Sequence, residues 1–192
     1  MMNKVLLAAV LLLGAAPVAL AADPPAANAP MVPPAAPGVF SVTQKAPDRV
    51  QVTVRAHHFT SRGDAEKYLI YRAAELVLDR KASWFTLVES RAPGDTAPVP
   101  KADPKGLHYS FRMAYWRPVW RYRLAGDTAW KSWSPFSSAA FFAEGKDAKS
   151  ITDYELSADI VLRKGRMDDL NPLGFEARAV SDLMVNQVSP PT

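Results

Sequence analysis

The sequence predicts an α+β domain, a two-layer sandwich with a mostly antiparallel sheet and two helices on one face, in the order β-α-β-β-β-α. Three observations predict it. Arg49 to Phe59 alternates apolar and polar residues with a period of two, Thr60 to Arg80 switches to a helical period, and Ser150 to Arg163 returns to alternation before a second apolar stripe near Val188.

The elements follow in chain order. Lys4 precedes the apolar run V-L-L-A-A-V-L-L-L-G-A-A-P-V-A-L, which ends in Ala19-Leu20-Ala21-Ala22. Residues 1–22 are therefore expected to be a secretory signal peptide, cleaved near Ala21 or Ala22. A membrane span needs about twenty sustained apolar residues, and this run is shorter and carries Pro17. The expectation is a periplasmic bacterial protein with no transmembrane span after signal cleavage. The chain contains 0 cysteines, so it has to fold without disulfides in a compartment that permits them. Residues 23–38, D-P-P-A-A-N-A-P-M-V-P-P-A-A-P-G, are a Pro/Ala-rich linker, because proline favours extended unpaired backbone and alanine has little to bury.

Residues 39–188 have the size of one ordinary domain. Loss of Lys4 with the signal takes the formal charge from +4 to +3, which is no global case for nucleic acid. Val39 to Val42 reads as an edge strand. After the turn-like A-P-D, Val50, Val52, Val54 and Ala56 take one face of a strand, and Gln51, Thr53, Arg55 and His57 the other.

A helix is expected to start at Thr60 or Ser61, whose hydroxyl can cap its first turn, and Asp64 stands three residues beyond Ser61 in capping-box position. The helix that follows, to about Arg80, spreads Ala65, Leu69, Ile70, Ala73, Ala74, Leu76, Val77 and Leu78 over a broad apolar arc and leaves Tyr68, Arg72, Glu75 and Asp79 on a narrow polar stripe. Arg72 and Glu75 stand three apart, as an exposed ion pair does. Trp84 to Val88 is a short apolar strand. Residues 91–106 form a Pro-rich loop.

Leu107 to Leu124 is read as one long strand, interrupted by Pro118. In the strand Ser150 to Arg163, Tyr154, Leu156, Ala158, Ile160 and Leu162 point inward. Asp153, Glu155, Ser157, Asp159 and Arg163 point out to a wet face. The last helix is expected from Asn171-Pro172 onward.

The run Tyr68-Leu69 to Tyr71-Arg72-Ala73-Ala74-Glu75-Leu76, followed by Trp84-Phe85, resembles a family of small uncharacterised proteobacterial envelope lipoproteins. The hallmark of that family is Y-L-L-x-R-A-A-E-L-T-L before an aromatic-rich strand. The resemblance covers Val50 to Val88, and more loosely Phe175 to Val180 is similar to the family's closing helix. It implies an envelope location and this fold, and no activity or catalytic residue. Two features depart from the family: there is no lipobox cysteine to acylate, and Lys81-Ala82 replaces the glycine after the helix.

For chemistry the sequence offers little. Neither G-x-S-x-G, nor a phosphate-binding glycine loop, nor H-E-x-x-H occurs. His57, His58 and His108 lack a completing ligand set, since strand neighbours point to opposite faces, so no metal, cofactor or catalytic residue is expected. One stretch stands out, the aromatic and basic insert 112–142. Its candidate binding surface is Trp116, Trp120, Arg121, Arg123, Trp130, Lys131 and Trp133.

Aromatic faces between cations suit an acidic envelope component, whether glycan, anionic lipid surface or protein. The same residues also suit packing, with arginine stems over buried rings. No nucleic acid is expected in an exported protein. The functional expectation is a non-enzymatic envelope-associated binding or structural module. The alternative is a periplasmic enzyme whose site assembles only in the fold.

Overall fold

The computed structural model describes residues 38–88, 113–133, 150–168 and 171–191. The expected signal peptide, nearly all of the linker, the Pro-rich loop 91–106 and the ends of the insert lie outside these residues. The chain is an α+β domain in which every described strand pair is antiparallel. Two helices cover one face of the sheet.

Seven strands are described: β1 (Phe40–Ala46), β2 (Arg49–Arg55), β3 (Trp84–Leu87), β4 (Val119–Leu124), β5 (Lys131–Trp133), β6 (Ile151–Arg163) and β7 (Gly174–Glu176). The long β6 organises them. One edge pairs with β2, which pairs with the edge strand β1. The other edge is shared end to end, by β3 along its C-terminal half and by β4 along its N-terminal half. Beyond these, β7 pairs with β3 and β5 with β4. The insert is thus part of the sheet, because β4 completes the edge of β6 that the shorter β3 leaves open. Residues 113–115, expected as strand, form a 3-10 turn.

Helix α1 (Arg62–Asp79) starts where the sequence indicates. The Ser61 hydroxyl oxygen accepts the Asp64 N–H at 3.1 Å and donates to the Asp64 carboxylate at 2.7 Å. Ala65, Leu69, Ile70, Ala73, Ala74 and Val77 are completely buried against Val50, Val52, Val54, Leu156 and Ile160. Tyr68 departs from the expected polar stripe: it too is completely buried, with its ring centroid 5.0 Å from that of Phe59. The reason is local. The strand ends at Arg55, and a 3-10 turn over Ala56–His58 brings Phe59 across the first half of the helix.

The helix ends in a left-handed cap although glycine is missing. Lys81 has φ of 58°, its N–H donates to the Leu78 carbonyl at 3.0 Å, and the Ala82 N–H donates to the Val77 carbonyl at 3.0 Å. That pair of bonds is a Schellman motif, which satisfies two end carbonyls at the cost of a side chain in the left-handed region. Near the C-terminus the fold adds an element where the sequence suggested a longer helix. Residues 174–176 pair as β7, and α2 begins at Ala177 and runs to Met184, burying Ala177, Val180 and Met184.

Candidate functional site

The seven residues of the expected surface divide between the two faces of the sheet. Alternation along β4 does this: Trp120 and Tyr122 pair with Leu156 and Tyr154 on the helix side, while Arg121 and Arg123 pair with Glu155 and Asp153 on the open side.

Trp116, Trp120 and Trp133 lie in the core. Trp120 is completely buried and Trp116 and Trp133 nearly so. Both indole N–H groups of the first pair are spent on one residue of α1. Trp116 Nε1 donates to the Glu66 carbonyl at 3.1 Å, and Trp120 Nε1 to Glu66 Oε1 at 3.1 Å. The rings pack edge to face, Trp120 with Trp133 at 5.7 Å and Trp116 with Phe175 at 5.7 Å. Burial pushes the Glu66 carboxyl above its ordinary range, against the pull of Arg62 and of the Trp120 N–H. These three tryptophans hold α1 to β4, and their faces are not offered to a ligand.

Arg121, Arg123 and Trp130 occupy the open face. Both guanidinium groups lie over the Trp130 ring, at 5.6 and 5.1 Å from its centroid. Arg121 also pairs with Glu155, and Arg123 with Asp153 at 3.2 Å. Asp153 further receives Arg55 at 3.7 Å and His57 Nδ1 at 3.0 Å, and Asp159 receives Arg49 at 2.6 Å. Lys131 is exposed and pairs with Asp127 at 2.8 Å.

The expected wet face is therefore a charge network with a definite layering. The carboxylate side chains of Asp153, Glu155 and Asp159 are 5, 9 and 18 % exposed, whereas those of Arg49, Arg55, Arg121 and Arg123 are between 35 and 50 % exposed. Acids lie beneath and guanidinium groups on top.

The acids and Arg49, Arg55 and His57 are absent from the surface expected from sequence. A signal was available: the outward set of β2 is basic and that of β6 acidic, and antiparallel pairing brings such sets together. The histidines also differ from expectation. The 3-10 turn puts the rings of His57 and His58 3.9 Å apart, not on opposite faces. Among the described residues no group of three or more His, Asp or Glu side chains is arranged to hold a metal ion.

The R-A-A-E-L segment has its own surroundings. Arg72 and Glu75 form the expected ion pair at 2.9 Å, but half-buried rather than exposed, and the Arg72 guanidinium lies 5.2 Å from the Phe40 ring centroid. They line an open groove of about 530 Å³ that also touches Tyr71, Arg178 and Asp182. No helix among the described residues is long and apolar enough to cross a membrane. No family model matches the chain, nor does any curated protein or solved structure.

Proposed function

We propose that this is an exported, non-enzymatic module that docks an acidic component of the bacterial envelope on the open face of its sheet. One observation carries the reading: four arginines form the outer layer of that face, and the acids that hold them are beneath, so an approaching molecule meets cationic N–H donors first. The N-terminal signal pattern and the resemblance to envelope lipoproteins support the compartment. The burial of Trp116, Trp120 and Trp133 favours an anionic surface over a neutral glycan, which would need free aromatic platforms.

A second reading, a periplasmic enzyme, has the His57–Asp153 contact in its favour, since a carboxylate on Nδ1 is how a catalytic imidazole is oriented. Two arginines share the same carboxylate, however, which suits charge display better than proton transfer.

The test is sedimentation with anionic phospholipid vesicles and, separately, with purified cell wall. Capture is expected at low salt and should decline, without vanishing, at moderate ionic strength. A chain that sediments with neither surface at low salt would end the proposal.

A further inference from the structure

Two hydrogen-bonding groups and a third, ion-paired cation converge on one carboxylate at the end of the open face. Asp153 Oδ2 receives Arg123 at 3.2 Å and Arg55 at 3.7 Å, and Oδ1 receives His57 Nδ1 at 3.0 Å. The carboxylate side chain is 5 % exposed, while Arg55 and His57 above it are 50 and 42 % exposed. One carboxylate cancels one of the two guanidinium charges and leaves the other. Because both guanidinium nitrogens approach the same oxygen, they stand no more than about 7 Å apart, a span one tetrahedral oxyanion can bridge.

We infer that Arg55, His57 and Arg123 form a discrete oxyanion site over Asp153, which takes a phosphate or sulfate group and binds it more tightly on acidification. The inference rests on the reading of the open face as the binding surface and adds a ligand class and a control to it. Asp153 accepts at Nδ1, so the hydrogen of a neutral His57 ring sits on that nitrogen. Nε2 is then an acceptor, which repels an oxyanion. A second proton makes it a donor.

The groups facing the ring are Asp153 from β6, Arg123 from β4 through that carboxylate, Arg55 at the end of β2, and the adjacent His58. Glu155, the next acid on β6, is held by Arg121.

Phosphate chemistry is presented both by soluble phosphate esters and by phospholipid headgroups, and the experiment separates them. Inorganic sulfate, whose charge is constant across the range, is titrated calorimetrically into the full chain at about pH 8 and about pH 5.5. Sulfate should bind at least about fivefold more tightly at the lower pH, and His57→Gln should remove that difference. Arg55→Gln should weaken binding about tenfold, while Arg178→Gln, which alters an exposed cation of α2 on the helix side of the sheet, should leave it within about twofold. Arg55 makes the longest of the three contacts, so its loss leaves Asp153 with two partners, and melting curves confirm that the variant folds.

Absence of sulfate binding at both pH values, or wild-type binding by folded Arg55→Gln, overturns the site. Phosphatidylglycerol vesicles are sedimented in parallel. Capture without sulfate binding removes the site and leaves the surface reading in place. Sulfate binding without capture by vesicles or cell wall supports the site for a soluble ester and removes the envelope surface.

Discussion

The two faces of strand β4 are built from the same six residues, V-W-R-Y-R-L, and do opposite things. Trp120 and Tyr122 enter the core under α1, and Arg121 and Arg123 cover acids on the open side. Tryptophans interleaved with arginines in sequence look like one mixed binding surface. On the pleated strand Trp120 and its flanking arginines part to opposite faces, because neighbours point opposite ways, while Trp130, outside β4, stays with the arginines. The buried Trp116, Trp120 and Trp133 account for cohesion, and Arg121, Arg123 and Trp130 for what the open face presents.

The largest effects should fall on the helix side. Trp120→Ala leaves a void beneath α1 and strands the Glu66 carboxylate, so a loss of about 3–5 kcal/mol is expected in urea unfolding. Ala73→Asp should be at least as severe, because it sets an unpaired carboxylate in a position with no exposure. Trp130→Ala, on the open side, gives up ring contacts with two half-exposed arginines and should cost no more than about 1.5 kcal/mol. Equal losses for Trp120→Ala and Trp130→Ala would break the division between the faces.

Next in size is the network itself. Arg121→Ser leaves Glu155 nearly buried without its cation, and should cost about 2–3 kcal/mol, at the low side for a broken pair because Arg121 is 40 % exposed. The double change Arg121→Met with Glu155→Leu removes both charges together and should return to within about 1 kcal/mol of wild type. A double variant as unstable as the single one would mean that the pair is needed for the fold beyond its charge balance.

A smaller effect distinguishes Glu66 from the acids of the open face. Its folded-state carboxyl is raised by burial, so the folded chain holds the proton more tightly than the unfolded one. The linked stability is full below the ordinary carboxylate range and is lost as pH rises through the raised value. Glu66→Gln keeps an oxygen for Trp120 Nε1 and removes the charge. It should be more stable than wild type at neutral pH and no more stable at about pH 4, with a flatter stability profile between. Denaturant midpoints across that range are the measurement, and a variant less stable at neutral pH would show that the Arg62 attraction outweighs burial.

How much of this was legible follows from period and pairing. The β2 alternation, the Ser61–Asp64 cap, the apolar arc of α1 and the inward set of β6 were readable because each depends on residues close in sequence. A helical wheel turns Tyr68 toward solvent because it contains no Phe59. Among the described residues, 113–118 leave the strand expected over 107–124, since nothing local shows that β6 pairs there only with Val119–Leu124. The layered acids were missed for the same reason: Arg55 and Glu155 stand one hundred residues apart in sequence and are neighbours only through register.

The smallest expected effect touches neither face and so sets the baseline for the others. Lys81 holds the left-handed position of the cap on α1, with φ of 58°. A side chain there costs about 1 kcal/mol, because Cβ crowds the backbone, and glycine avoids that cost while adding freedom to the unfolded chain. The two terms oppose, and the native strain is the larger, so Lys81→Gly should stabilise by about 0.5 kcal/mol. Lys81→Val should destabilise, because a β-branched residue fits the left-handed region worst. The hydrogen bonds from residues 81 and 82 to Leu78 and Val77 are backbone to backbone and survive either change. The comparison therefore isolates conformational cost from contact. If Lys81→Gly lowers the melting temperature, the lysine side chain contributes at the helix end, and the cap owes its stability to more than geometry.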